Sequence, residues 1–210
     1  MLRHILFLGA PGAGKGTQAK KIAKSTTLVH LSSGDALRDE RNSGSKLGIE
    51  IGALIDAGKY VPDELIFTMM RQRIESARNS GFILDGIPRT VSQIGMLADI
   101  TPLDRVIVID ISRKESVKRL MNRLNCKKCG AIHSKLVLGQ DAKTCPLCGG
   151  QLFQRDDEMD KEIVEGRFDT YLLSTVPMID CYQSIGLISR VEGEQPIKKV
   201  FQDIMTILGA

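Results

Sequence analysis

The sequence predicts an α/β fold with a five-stranded parallel sheet sandwiched by helices. Short apolar runs rich in branched side chains alternate with helix-period segments along the 210 residues. The runs are nearly continuous in apolar residues, which is typical of strands covered by helices on both faces. Right-handed crossovers through the intervening helices then give a parallel sheet. The predicted strands span residues 5–9, 28–31, 82–85, 106–111 and 187–191.

Three segments carry apolar side chains at helical spacing. Each stripe predicts an amphipathic helix that packs one face against the core. The stripes are Leu47, Ile51, Leu54 and Ile55; Val117, Leu120, Met121 and Leu124; and, after Pro196, Ile197, Val200, Phe201, Ile204 and Leu208.

Two stretches, 32–61 and 125–155, interrupt the alternation of strands and helices. The first has helical character, small polar turns and no strand pattern, and the second contains four of the five cysteines. Both are predicted to be insertions that project from the carboxyl edge of the sheet. Ligands bind at that edge in open α/β sheets.

The composition is typical of a globular protein and excludes global disorder. Lys and Arg number 29 against 25 Asp and Glu, a net charge of +4 that is too mild to indicate a dedicated nucleic-acid binder. No apolar run approaches the ~18 residues of a membrane-spanning helix. The apolar run near the first residue is followed by a segment that contains glycines and a lysine, and not by a sequence that resembles a signal-peptide cleavage site. Export is therefore not expected. We therefore expect a cytoplasmic enzyme.

A glycine-rich loop follows the first predicted strand and opens a helix. Residues 9–17 read G-A-P-G-A-G-K-G-T, which matches G-x-x-x-x-G-K with Gly16 where Ser or Thr is usual. Backbone N–H groups of such a loop face an anion, the helix N-terminus adds partial positive charge, and Lys15 can reach the β- and γ-phosphates. A glycine-rich turn with an incidental lysine is the alternative, but the strand-to-helix placement favours binding of a nucleoside triphosphate.

Four cysteines form two close pairs, Cys126/Cys129 and Cys145/Cys148, with 15 residues between the pairs. This spacing predicts a four-thiolate zinc site, with Gly130 at the turn of one knuckle. Four protein ligands leave no open coordination position, so the zinc would be structural and would make a small insertion rigid. Two disulfides or an iron–sulfur centre are the alternatives.

Zinc ribbons also bind nucleic acid, which requires interleaved basic and aromatic residues on an exposed face. The cysteine segment offers four lysines but only Phe153 among aromatic residues, so a nucleic-acid role is disfavoured. The fifth cysteine, Cys181, is expected to be a buried thiol, because free Cys is among the most buried residue types.

Further motifs follow the loop in order along nearly the whole chain. Residues 31–38 read L-S-S-G-D-A-L-R, 56–63 read D-A-G-K-Y-V-P-D, 84–93 read L-D-G-I-P-R-T-V-S-Q and 152–157 read L-F-Q-R-D-D. Together they resemble the motifs of adenylate kinases, a family of nucleoside monophosphate kinases, and in particular members with a long, zinc-bearing lid. The chain departs from the family pattern at Ile87, where Phe is usual, and at His133, where Tyr is usual. Its spacing from Arg155 to Arg167 is one residue longer than the family's.

The resemblance implies a P-loop kinase fold with three parts. These are a core domain (1–31, 62–124 and 156–210), a helical NMP-binding insertion (32–61) and a zinc-bearing lid insertion (125–155). It implies reversible transfer of the terminal phosphoryl group from MgATP to AMP, giving two ADP. A kinase for CMP or UMP is the alternative, since Ile87 is expected to touch the acceptor pocket. The implied partners are nucleotides, with no nucleic acid and no membrane, and we expect a monomer.

The resemblance also implies a role for individual residues. Phosphoryl transfer requires positioning and charge neutralisation, and the planar Arg fork suits both because it binds two oxygens and keeps its proton. The ATP site would comprise Gly12, Ala13, Gly14, Lys15, Gly16, Thr17, Arg119, Arg123, Ile132, His133 and Gln195. The AMP site would comprise Ser33, Arg38, Lys59, Tyr60, Val61, Gly86, Ile87, Pro88, Arg89, Gln93, Arg155 and Arg167. The catalytic residues would be Lys15, Arg89, Arg123, Arg155 and Arg167.

Single carboxylates and histidines have alternative readings. Asp85 would hold Mg²⁺ through water molecules, or cap the turn before Gly86. Asp35 is equally well explained as a helix N-cap. His133 is an adenine contact or a surface residue, and His4 and His30 are expected to be packed or solvated.

Overall fold

The computed structural model describes residues 1–56 and 61–210, and the side chains of all of these except 55 and 56. Its main sheet contains five parallel strands in the order β2–β3–β1–β4–β8. The strands are β1 (His4–Leu8), β2 (Val29–Ser32), β3 (Phe82–Asp85), β4 (Arg105–Asp110) and β8 (Ile188–Glu192). The predicted parallel sheet is confirmed, and each predicted strand lies within one residue of the observed one.

Helices cover both faces of this sheet. Alternate residues of β1 point to opposite faces, and Leu6 and Ile5 accordingly belong to two different hydrophobic clusters. The helices are α1 (Lys15–Ser25), α2 (Ser33–Asn42), α3 (Lys46–Asp56), α4 (Asp63–Ala77), α5 (Val91–Ala98), α6 (Arg113–Met121), α8 (Lys161–Thr170), α9 (Val176–Ser184) and α10 (Ile197–Leu208), with a π-helical turn at Tyr171–Thr175 between α8 and α9.

β1 lies between β3 and β4, so the chain leaves β1 at the point where the connections diverge to opposite sides of the sheet. Ligands bind at such switch points in doubly wound sheets. The glycine-rich loop therefore occupies the position that the topology favours for an anion.

A second, antiparallel sheet is formed by β5 (Arg123–Cys126), β6 (Ile132–Ser134) and β7 (Leu152–Phe153), in the order β6–β5–β7. The short helix α7 (Lys135–Leu138) follows β6. The buried cluster on one face of this small sheet contains Leu124, Cys126, Cys145 and Leu152. The separate sheet begins at Arg123, two residues before the predicted boundary of the second insertion.

The predicted helical stripe ending at Leu124 is wrong at that residue. Helix α6 ends at Met121, and Leu124 is buried in β5 beside Cys126. Leu124 thus packs against the cysteine cluster instead of the main sheet, a partner that helical periodicity cannot reveal.

Capping side chains define several helix starts. Ser32 Oγ accepts a hydrogen bond from the backbone N–H of Asp35 at 3.2 Å, so Ser32 and not Asp35 caps α2. Pro196 precedes α10, and the predicted helix there is confirmed. Among the described helices, none combines the length and apolar character needed to cross a membrane.

Candidate functional site

The glycine-rich loop joins β1 to α1 as predicted. Gly14 caps the N-terminus of α1 with a φ of 93°, a left-handed conformation that favours glycine. Lys15 Nζ donates to the carbonyl oxygens of Gly9 at 2.6 Å and Ala10 at 3.0 Å. Desolvation lowers the pKa of Lys15 to about 8, although the nearby charge of Asp85 opposes this shift. The ammonium group is thus held against its own loop, at the end of a helix that favours anions.

Asp85 lies at the end of β3, directly beside the glycine-rich loop. A Cβ at Gly16 would stand 3.1 Å from Asp85 Oδ2, which explains why a residue smaller than Ser or Thr fits that position. His30 Nε2 lies 3.4 Å from the same oxygen. Burial opposes ionisation of Asp85, but the His30 hydrogen bond and the Lys15 charge outweigh it and lower its pKa.

The sequence did not indicate a functional role for His30. Its side chain is packed, with 9% exposed, but it contacts a carboxylate of the candidate site. His30 is the second residue of β2 and Asp85 is the last residue of β3, and these two strands are hydrogen-bonded neighbours. The placement of both residues in predicted strands is the sequence signal that could have identified the pair.

One cleft of about 1320 Å³ brings most of the predicted site residues together. Its walls come from the glycine-rich loop, strands β2 and β3, helix α6, the small sheet and, through Arg167, helix α8. The predicted residues that line it are Gly12, Ala13, Gly14, Lys15, Gly16, Thr17, Arg38, Asp85, Gly86, Arg89, Arg119, Arg123, Ile132, His133, Arg155, Arg167 and Gln195.

The remaining predicted acceptor residues that the structure describes do not line the cleft. Ile87 is 2% exposed and packs in the main core, so the expected contact of its side chain with an acceptor pocket is not seen. Pro88 is also buried. Val61 is half-buried in a segment without regular structure. Lys59 and Tyr60 lie outside the described residues.

Two buried polar residues support the acceptor side of the cleft from behind. Ser33 Oγ donates to the carbonyl of Gly86 at 2.9 Å. Gln93 accepts from the backbone N–H of Arg89 at 2.7 Å and donates to Asp63 at 2.6 Å. In this structure both side chains orient neighbouring groups, and their predicted contacts with AMP stay predictions.

Arg38 and Arg89, two of the predicted acceptor residues, present guanidinium groups to the cleft. Arg89 Nε donates to the Gly86 carbonyl at 2.6 Å, and Arg38 pairs with Asp35 one turn earlier on α2. Desolvation lowers the pKa of Arg89, while Asp85 opposes the shift. These two groups can bind one anion from two directions.

A buried carboxylate that the sequence did not single out holds two of the predicted transfer arginines. Glu158, with none of its surface exposed, accepts from Arg123 Nε at 2.9 Å and from a second Arg123 nitrogen. Arg167 Nη1 lies 3.3 Å from Glu158 and 2.7 Å from Asp157. The acidic run that begins at Asp156 is the only sequence signal for this role.

Arg119 and Gln195, two of the predicted donor residues, also line the cleft. Arg119 donates to Glu115 at 2.8 Å and to the carbonyl of Gly193 at 2.9 Å. Gln195 donates to Asp203 at 2.7 Å. Across the cleft, Ile132 is 40% exposed, so an apolar surface faces these groups.

The four predicted zinc ligands converge on one point. Their sulfur atoms all lie within 4.8 Å of one another, with Cys126–Cys148 at 3.5 Å and Cys129–Cys145 at 3.8 Å. Four sulfurs bound tetrahedrally at about 2.3 Å from one ion stand about 3.8 Å apart. The thiols are free, which contradicts the disulfide alternative. The cluster therefore has the geometry of a tetrahedral metal site.

Local backbone features fit this site. Gly130 and Gly149 have φ values of 64° and 69° at the turns of the two knuckles. The backbone N–H of Cys129 donates to Cys126 Sγ at 3.5 Å, and this bond is the main cause that lowers the pKa of Cys126 to about 6. His133 Nε2 lies 3.3 Å from Cys145 Sγ, so His133 contacts the cysteine cluster as well as the cleft.

The prediction for Cys181 is wrong. Its side chain is exposed on α9, where the neighbouring Met178, Ile179 and Tyr182 form the buried face. These three residues form the face of α9 that packs in the core, and Cys181 lies outside that face.

A phosphate loop at the switch point of a parallel sheet, facing arginines across one cleft, is the arrangement of a P-loop phosphotransferase. Comparison with known proteins identifies the family within this class. Residues 7–187 match the family model described as adenylate kinase. An adenylate kinase of Petrotoga mobilis is 39% identical over 98% of this chain and 97% of its own length. Adenylate kinases of Lactobacillus johnsonii and Bacillus thuringiensis are 40% and 37% identical, each over 98% of both chains. The chain belongs to the adenylate kinase family.

Proposed function

We propose that this chain catalyses the reversible transfer of the terminal phosphoryl group of MgATP to AMP, which gives two ADP. The observation that carries the proposal is the cleft itself, which is lined by the phosphate loop, Lys15 and six arginines. Such a cleft can hold two phosphorylated ligands end to end. Family membership supports the same activity.

Donor binding follows from the loop geometry. Backbone N–H groups at the start of α1 bind the ATP phosphates, and Lys15 exchanges its two carbonyl acceptors for phosphate oxygens. Bound phosphate raises the pKa of Lys15 from its value in the empty cleft, so the ammonium is charged when transfer occurs. Arg119 and Ile132 enclose the donor base from opposite sides.

Acceptor binding uses Arg38 and Arg89, which clamp the AMP phosphate. Gly86 matters because its carbonyl fixes both the Arg89 guanidinium and the Ser33 hydroxyl. The chain needs no nucleophile of its own, since an AMP phosphate oxygen attacks the γ-phosphorus and ADP leaves. The chain holds these two atoms in line and excludes water.

Arg123, Arg155 and Arg167 stabilise the transferring group. Glu158 occupies Nε and one terminal nitrogen of Arg123. A guanidinium has five N–H donors, so Arg123 retains free N–H groups for phosphoryl oxygens while Glu158 holds its orientation. Because Glu158 orients the Arg123 guanidinium before the substrates bind, less reorganisation of this group is needed during phosphoryl transfer.

Magnesium would be held through Asp85. Its lowered pKa keeps the carboxylate ionised, and Mg²⁺ binds carboxylate oxygen directly or through retained water. When bound, the ion would neutralise negative charge on the phosphates. His30 orients the carboxylate toward the loop.

Zinc would occupy the Cys126, Cys129, Cys145 and Cys148 cluster, whose four thiolates suit it. Residues 125–155 would then be a rigid lid over the donor, 32–61 an acceptor-binding arm, and 1–31, 62–124 and 156–210 the core. Closure of the lid would exclude water and limit hydrolysis of ATP. We further propose that the enzyme is a cytoplasmic monomer whose partners are nucleotides.

The test is ADP formation from MgATP with AMP, CMP, UMP or GMP as acceptor in parallel assays. We expect a strong preference for AMP. Equal or faster transfer to CMP or UMP would assign the alternative acceptor to the same mechanism. Absence of transfer to all four acceptors, with ATP still bound, would refute the proposed activity.

A further inference from the structure

Asn125 is a buried polar residue that neither the zinc site nor the assigned phosphate contacts explain. It is 7% exposed and lies in β5, the central strand of the small sheet. Side chains alternate along a strand, and Leu124 and Cys126 pack in the cysteine-side cluster. Asn125 and Arg123 therefore share the other face, and both line the cleft.

The two ends of the Asn125 amide are used unequally. Oδ1 accepts a hydrogen bond from Arg155 Nη2 at 3.4 Å. Only the oxygen can accept from a guanidinium, so this contact fixes the orientation of the amide. Nδ2 is buried and has no hydrogen-bond partner among the described residues. A buried donor without an acceptor destabilises a fold.

Folding alone would favour a different residue at this position. Asn125 pairs with Ile132 on one side and with Phe153 on the other. Between two such neighbours in a central strand, a β-branched apolar side chain packs better than Asn and leaves no amide unsatisfied. The amide therefore serves something other than the stability of the small sheet.

We propose that Asn125 is a positioning residue that orients the Arg155 guanidinium toward the transferring phosphoryl group. This inference rests on the proposed function, which places Arg155 at that group. Arg155 and Arg123 carry like charges close together, so an unrestrained Arg155 turns away from Arg123. Asn125 restrains it through a neutral oxygen, which leaves the full positive charge of Arg155 available to phosphate. A carboxylate there would neutralise it.

The first test compares Asn125→Val with the wild type. We expect kcat for ADP formation to fall about tenfold, the order expected when one hydrogen bond to a charged group is lost. The melting temperature should stay equal or rise, because the unsatisfied amide is gone. Asn122→Ala is the matched control, since Asn122 does not line the cleft and its side chain donates to the Lys118 carbonyl one turn earlier on α6, and its kcat should equal that of the wild type.

The second test is a double-mutant cycle with Arg155→Lys. A positioning role predicts that Asn125→Val costs little further activity once the Arg155 fork is gone. Additive losses, or full kcat in both Asn125→Val and Asn125→Leu, would overturn the inference. A melting temperature lowered by several degrees in both variants would also overturn it, because the amide would then support the fold. Wild-type kcat in Arg155→Lys alone would instead refute the role of Arg155 in the proposed function, and the inference with it.

Discussion

At the scale of single residues, Lys15 shows how the cleft favours an anion. Its ammonium is bound to backbone carbonyls and shielded from water, and this desolvation lowers its pKa from 10.5 to about 8. Desolvation of the charged Lys15 ammonium costs free energy when no phosphate is bound, and this cost favours phosphate binding. The same desolvation cost should lower the free energy of unfolding.

The stability of the nucleotide-free chain should rise with pH because of Lys15. Between about pH 8 and 10.5 the unfolded chain binds the Lys15 proton more tightly than the folded one, so unfolding free energy increases with pH. Relative to Lys15→Met, the gain should approach about 3 kcal/mol across this window. Urea unfolding of both proteins at several pH values measures it, with Lys24→Met, on an exposed part of the same helix, as the charge-loss control. Parallel curves for wild type and Lys15→Met would contradict the expectation.

Arg89 should tolerate no substitution that keeps only its charge. Arg89 uses Nε for the Gly86 carbonyl and presents its other nitrogens to the cleft. Lysine cannot do both, so Arg89→Lys should lower kcat about 100-fold while the melting temperature changes little. Arg71→Lys on the exposed surface of α4 is the control. A kcat within twofold of wild type in Arg89→Lys would remove Arg89 from the proposed acceptor clamp.

At the scale of elements, strand positions were predictable because helices cover both faces of the sheet and the strands are mostly apolar, although β2 contains His30 and β8 contains Arg190. The end of α6 was not predictable, because Leu124 continues the helical spacing but is buried among the cysteines. Glu158 and His30 were missed for a related reason. Their partners are Arg123 and Asp85, which are distant in sequence and come close only when the sheet edge and α8 assemble.

The cysteine spacing was predictive because two short knuckles impose local geometry that depends little on the rest of the fold. Gly150 adds a constraint that spacing does not show. A Cβ at this position would stand 2.8 Å from Cys126 Sγ and 2.6 Å from the Lys128 Cβ. The close approach of backbone and sulfur requires glycine there.

Gly150→Ala should therefore disrupt the metal site. We expect a lower zinc content per chain and a lower melting temperature, because a ligand sulfur or its knuckle has to move. Gly95→Ala introduces the same methyl group in α5, where nothing lies within 4 Å, and should stabilise the protein by about 0.5–1 kcal/mol. Metal analysis and thermal unfolding of the two variants measure this contrast. Equal zinc content and stability in Gly150→Ala and wild type would contradict it.

At the scale of the whole molecule, the two sheets differ in how they are held together. The parallel sheet has large clusters on both faces, whereas the small sheet buries only four residues in its cluster among the described positions. So small a core does not stabilise a fold without a cross-link or a metal. The small sheet nevertheless contacts the rest of the chain, since Lys20 on α1 donates to the Gly130 carbonyl at 3.3 Å. Disorder of the first knuckle would therefore change the shape of the cleft, which Lys20 and Gly130 both line.

Removal of zinc should accordingly destabilise the small sheet and leave the stability of the parallel sheet unchanged. After chelation we expect faster amide exchange throughout residues 123–153 and unchanged protection of β1, β3 and β4, because only the small sheet depends on the metal. Transfer to AMP should fall with the loss of exchange protection, since Arg123 and Asn125 lie on β5. Hydrolysis of ATP without acceptor should rise relative to transfer, because a disordered lid no longer excludes water.

Cys181→Ser, which keeps all four ligands, should match wild type in each measurement. Retained exchange protection and activity in the zinc-free protein would show that the small sheet is stable without metal and that the cysteines serve another purpose.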